Sequence, residues 1–230
     1  MKKYTFVLFL FGLAISLVAA GCSSNSSDPT SPTTGGQARV MAIHASPNAP
    51  GVDLYVDGSK VDSNLTFPNN TPYLSVNSGT RAIAVKVAGT STTVLSANLP
   101  IAGNTYYSVF AIDSVADLHA LVLIDTLTAP AAGKAHLRFI HLSPNAPAVD
   151  ITDTTGAVII ANKSFMDYTS FIPLDAGTYN LQVRIAGTST IVLRLSGIML
   201  TEGKIYTVFA KGFVGGAGGQ ALGAQIIVNK

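Results

Sequence analysis

His, Ser and Asp occur together twice in this chain, at the same spacing. The first set is His44, Ser46 and Asp53; the second is His141, Ser143 and Asp150. Such a set works as base, nucleophile and orienting acid when the Ser Oγ reaches a ring nitrogen and an oxyanion hole faces it. The local sequence speaks against that use. Both serines stand directly before a proline, where a hydroxyl bonds the turn backbone. No G-x-S-x-G elbow occurs. No catalytic residue is therefore expected. The expected role is structural: Asp53 and Asp150 accept hydrogen bonds from His or from backbone N–H groups of the neighbouring corner and stiffen it.

The same residues fail as a metal site. Each set offers one His and one Asp, whereas zinc takes three or four protein ligands. His119 and His136 are not paired with them by spacing, and Asp113, Asp117 and Asp125 lack the spacing of a calcium loop. No cofactor is expected. The glycine cluster at residues 215–219 is followed by no Lys-Ser/Thr, so it reads as a hairpin loop and not a phosphate cradle. Tyr55, Tyr73, Tyr106 and Tyr168 fall on or beside expected strands, where packing is their ordinary work. Asn64 and Asn162 each open a glycosylation sequon.

The elements that hold these residues are themselves duplicated. Residues 44–58 read HASPNAPGVDLYVDG and residues 141–156 read HLSPNAPAVDITDTTG, 97 positions apart. Pro47, Asn48 and Pro50, and again Pro144, Asn145 and Pro147, make a segment that fits neither a helix nor a central strand. An apolar run precedes each copy, and alternation follows it in Val52, Leu54 and Val56. The unit is strand, proline corner, strand. Further on, VKVAGTST (85–92) matches VRIAGTST (183–190), and SVFA (108–111) matches TVFA (207–210), with offsets of 98 and 99. Single-residue insertions in loops between fixed strands explain that drift.

Two copies of this length are too few for a solenoid and suit tandem domains, expected at 39–129 and 130–230. Turn signals divide the first copy into seven strands, at 40–44, 52–56, 73–76, 81–88, 93–99, 106–112 and 120–126. The second divides likewise, at 137–141, 149–152, 171–174, 178–186, 191–195, 206–211 and 222–228. The expected class is all-β, with two tandem immunoglobulin-like antiparallel β-sandwiches. One cysteine and no tryptophan exclude an antibody-type domain.

The start of the chain indicates export. Lys2 and Lys3 precede an apolar run from residue 4 to 20, the pattern of a secretory signal over 1–21. Ala19-Ala20-Gly21-Cys22 resembles the bacterial lipoprotein box, with Ala19 where Leu is more usual. That resemblance implies several acyl chains on Cys22, enough for stable membrane anchoring. Ser23 in place of Asp favours the outer membrane or cell surface. Residues 22–38 are rich in Ser, Thr and Pro and read as a linker. The full chain carries 14 basic and 12 acidic side chains; loss of residues 1–21 removes two lysines and leaves it neutral. A neutral chain lacks the basic footprint of a nucleic-acid binder.

The doubled motif H-x-S-P-N-A-P-x-V-D after a lipoprotein signal resembles the bacterial exported family named domain of unknown function 4397. The resemblance implies tandem β-sandwiches at the cell envelope and brings no catalytic residues. The second copy departs from it at ITDTTG, which implies a reshaped strand end. The function expected is a non-catalytic interaction or structural module that meets a polysaccharide, a matrix component or an envelope protein. The alternative is a solute- or metal-binding lipoprotein using a cleft between the domains; an esterase ranks third.

Overall fold

The computed structural model describes residues 35–230; the signal, Cys22 and most of the linker lie outside the described residues. Among the described residues there are sixteen strands. In the first repeat they are β1 (Gln37–His44), β2 (Val52–Val56), β3 (Ser59–Leu65), β4 (Leu74–Asn77), β5 (Gly79–Val87), β6 (Thr93–Ile101), β7 (Tyr106–Ile112) and β8 (His119–Ile124). In the second they are β9 (Lys134–His141), β10 (Val149–Asp153), β11 (Val158–Lys163), β12 (Ile172–Asp175), β13 (Gly177–Ile185), β14 (Ile191–Leu200), β15 (Ile205–Lys211) and β16 (Gly223–Val228).

Each repeat folds into two four-stranded sheets with the same order. The outer sheets run β3-β2-β5-β6 and β11-β10-β13-β14; the inner sheets run β4-β1-β7-β8 and β12-β9-β15-β16. The all-β sandwich architecture expected for each repeat is present. The pairing is antiparallel except for one parallel pair in each inner sheet, β1 with β7 and β9 with β15. Every repeat has an eighth strand beyond the seven expected, β3 and β11. Their sequences, SKVDSNL and VIIANK, lie along sheet edges and leave half or more of their residues exposed, so no apolar alternation marks them. Both also carry a left-handed asparagine, Asn64 (φ 53°) and Asn162 (φ 48°). The turn before each new strand differs. Asp57-Gly58, both at positive φ, closes β2 onto β3 in two residues, the residue type such a hairpin requires. In the second repeat Asp153 Oδ1 instead accepts from the N–H groups of Thr155, Gly156 and Ala157.

Three layers of side chains hold the sheets. In the second repeat Phe139, Val149, Ile151, Val183 and Val208 belong to one continuous core between inner and outer sheet. The first repeat has two smaller clusters in the corresponding place, around Val52, Leu54, Leu65 and Val85, and around Ala38, Ile101 and Tyr107. The third layer joins the repeats. Met41, Ile43, Phe110 and Leu123 of one inner sheet pack with Ile140, Leu142, Phe209 and Ile227 of the other. The Phe110 and Phe209 rings meet edge to face at 5.9 Å. The inner strands are thus covered on both faces, and such strands read as nearly unbroken apolar runs. That is why RVMAIH and HLRFIH carry little polar alternation. The strands of both repeats form one compact unit.

One polar network crosses this third layer. Arg138 and Asp125 pair at 2.7 Å, with side chains 3% and 0% exposed. Asp125 Oδ2 accepts from Tyr73 Oη at 2.5 Å and from Ser108 Oγ at 2.7 Å. Arg138 also donates to Thr207 Oγ1, which donates to Asn229, and Asn229 Nδ2 donates back to Tyr73 Oη. Burial beside the Asp125 carboxylate pushes the Tyr73 hydroxyl well above the usual tyrosine range. A buried charge is tolerated when paired and hydrogen-bonded, and here both repeats supply partners: Asp125 Oδ2 is hydrogen-bonded, and Oδ1 meets Arg138 as an ion pair.

Candidate functional site

The duplicated corners are built alike. β1 and β9 end in His44 and His141, 1% and 0% exposed. The His44 Nε2–H donates to the Pro50 carbonyl at 3.0 Å, and His141 Nε2–H donates to Pro147 O at 3.1 Å. A carbonyl acceptor requires the proton on Nε2, and each Nδ1 is buried without a partner. Burial holds both imidazoles below the usual histidine range, so they sit neutral. Each ring spans the corner from the strand before it to the second proline after it.

The other motif residues tie the corner to neighbouring loops. Asn48 Oδ1 accepts from Val115 N, and Asn145 Oδ1 accepts from Val214 N, both at 2.8 Å. These N–H groups belong to the loop after β7 and its counterpart after β15. Ser143 Oγ donates to Gly212 O at 2.6 Å in that same loop. Ser46 is fully buried and its Oγ has no partner. Residue 113 fills the Gly212 place as Asp113, and both have positive φ.

Asp53 and Asp150 are the hubs. Asp53 Oδ1 accepts from Asn64 N at 3.0 Å and Oδ2 from Gly89 N at 3.2 Å. Asp150 Oδ1 accepts from Asn162 N at 2.7 Å and Oδ2 from Gly187 N at 2.8 Å. Each carboxylate therefore joins the edge strand and the far hairpin to the strand that carries it. Lys60 adds a 2.6 Å ion pair to Asp53 alone. Its hydrogen bond, then that from Asn64 N–H, brings the Asp53 carboxyl down to about 2. The N–H groups of Asn162 and Gly187 lower that of Asp150.

The donors differ from those expected. Neither aspartate bonds its histidine or the proline corner; each reaches the neighbouring edge strand and the far hairpin instead. Asn64, Gly89, Asn162 and Gly187 went unrecognised as partners. The two glycines carry a signal in the sequence, the repeated AGTST. Gly89 (φ 72°) and Gly187 (φ 70°) take the left-handed conformation that aims their N–H at the carboxylate. Thr90 and Thr188 close the same turn through Val87 O and Ile185 O.

The letters of a hydrolase triad are present without its bonds. Ser143 Oγ is spent on a carbonyl, Ser46 Oγ touches no ring nitrogen, and both aspartates serve backbone N–H groups. Among the described residues, no three His, Cys, Asp or Glu side chains come together as a metal would need. Nor, among them, is any helix long and apolar enough to cross a membrane.

Among the described residues, sixteen strands in two sandwiches, each locked by a buried His and Asp with an exposed Asn between them, define a duplicated β-sandwich protein. The chain belongs to the family described as domain of unknown function (DUF4397), whose model matches residues 27–152. That span takes in the first repeat and the start of the second, through Thr152. No curated protein matches the chain. Among solved structures it is similar to CBMbc (family CBM26) from Eubacterium rectale Amy13K in complex with maltoheptaose. The identity is 12%, over 82% of this chain and 96% of that one, with a TM-score of 0.27. A similarity that slight says nothing of what this chain binds.

Proposed function

We propose that this chain is a lipid-anchored module of the cell envelope that holds or presents a partner and does no chemistry. One observation carries the reading. The His, Ser and Asp side chains of the duplicated motif are buried, its two asparagines are exposed, and all of them but Ser46 are bonded within the fold, so the motif is a scaffold. The basic start, the apolar run and Cys22 support export and anchoring on lipid. Among the partners expected, a polysaccharide, a matrix component or an envelope protein, one feature favours the protein. The last edge strand of each inner sheet leaves apolar side chains in water, Val122 and Ile124 on β8 and Ile226 and Val228 on β16. An open edge with exposed apolar residues suits another chain better than a sugar.

The test joins anchoring to chemistry in one preparation. Cells expressing the wild-type chain or Cys22→Ser are labelled with a palmitate analogue and fractionated. The purified protein is then treated with a fluorophosphonate. The expected result is label and membrane association in the wild type only, with no phosphonate adduct on Ser46 or Ser143. Unlabelled wild type contradicts the anchor, and an adduct on either serine contradicts the scaffold reading.

A further inference from the structure

The two repeats differ most inside their sandwiches. In the second, Phe139 on β9 and Leu195 on β14 fill the space between the sheets. The strand registers place Ala42 and Ala97 at the same positions in the first. Ala42 lies opposite Val109 as Phe139 lies opposite Val208, and Ala97 pairs with Ile83 as Leu195 pairs with Leu181. Small side chains there leave an apolar cavity of about 80 Å³, whereas a cavity of about 20 Å³ in the second repeat lies toward the proline corner, against Ala146, Pro147 and Val214. The cavity separates the two small core clusters of the first sandwich, touching Leu54 and Val85 of one and Ile101 of the other. A cavity in a sandwich is destabilising, and an apolar one stays free of water. The second repeat shows that this scaffold accommodates the side chains that would remove it.

The cavity has a mouth. Val56, Val61, Leu74 and Val76 line it and also line an open groove of about 460 Å³ between the edges β3 and β4. Val61 stands there 39% exposed. Beyond these apolar walls the groove becomes polar, with Gln37, Ser75 and Asn77 on one side. Its two charges, Asp57 and Arg81, already pair at 2.9 Å. A water or methylene fills roughly 30 Å³ of liquid, so the cavity takes the last few carbons of a chain and the groove takes the rest. An apolar depth with a few polar groups at its rim is the ordinary form of a small-molecule site. We propose that the first repeat binds a single-chain aliphatic amphiphile with an uncharged, hydroxyl-bearing head. Its tail enters between the sheets at Ala42 and Ala97, and its head lies at the polar rim of the groove. This goes beyond the scaffold reading and does not depend on it.

The test uses the protein without its signal, the neutral fluorophore N-phenyl-1-naphthylamine, and monodecanoylglycerol as competitor. The wild type is expected to enhance the dye's fluorescence and to lose that enhancement as the monoglyceride is added. The double variant Ala42→Phe, Ala97→Leu copies the second repeat. It is expected to melt no lower than the wild type and to bind the monoglyceride about tenfold more weakly or worse, since two or three methylenes then stay in water. Should the double variant fail to fold, Val61→Lys at the exposed mouth serves in its place, with the same weakening expected. No displacement in the wild type, or an unchanged affinity in the folded variant, overturns the proposal.

Discussion

Asp53 and Asp150 show how one buried carboxylate organises a sandwich. Each takes two backbone N–H groups, from a left-handed asparagine and a left-handed glycine. The carboxylate itself is buried and hydrogen bonds to a charged group are the stronger kind, which gives the hub its weight. The histidines work in the opposite charge state, neutral and donating to a carbonyl. These preferences make stability depend on pH. The folded carboxyls lie below their unfolded values, Asp53 at about 2. Their contribution is complete above the ordinary carboxylate range and is lost as pH falls toward 2. The folded histidines also lie below the ordinary value of 6.5, so the unfolded chain takes up protons first. Stability therefore rises with pH through that region as well. The melting temperature is expected to be flat near pH 7–8, to fall below about pH 6, and to fall again below about pH 4. A melting temperature unchanged between pH 7 and 4 would contradict the neutral buried histidines.

Legibility is clearest among the elements. The corner was readable because proline excludes it from helix and strand, and the repeat fixed the order of units around it. Strands covered on one or both faces announced themselves by apolar residues, as β1, β2, β7 and β9 did. β3 and β11 did not, because an exposed edge strand is stabilised by backbone pairing that leaves no pattern in side chains. The parallel partnership of β1 with β7 was equally hidden, since pairing across about 65 residues is a property of topology and not of local sequence. The clamp was half legible. Its acceptors stood out as the repeated Val-Asp, whereas its donors are backbone N–H groups whose direction comes from φ at Asn64 and Gly89. The bond network of Asp125 and Arg138 had only one cue, a lone arginine within the apolar run HLRFIH.

At the scale of the molecule the two repeats meet through side chains that are equivalent in position and different in type. Met41 stands where Arg138 does, opposite Ser108 and Thr207 respectively. Asp125 and Asn229 follow β8 and β16 at the same place. The duplication has thus converted a pair of equivalent sites into one buried ion pair across the interface. Removing one partner of such a pair leaves a charge uncompensated and costs about 3–5 kcal/mol. Arg138→Met is expected to lose about that much stability in denaturant unfolding. Adding Asp125→Asn, the residue of the equivalent position, is expected to restore much of it. Additive losses in the double variant would contradict the pairing. A shared core also implies that damage in one repeat is felt by both. Calorimetric unfolding of Asp150→Asn beside the wild type tests this together with the scaffold role of the motif. The account predicts a single transition in each, lower by about 5 °C in the variant because one buried hub is weakened. A melting curve unchanged by the substitution, or one split so that half the protein still melts at the wild-type temperature, would contradict it.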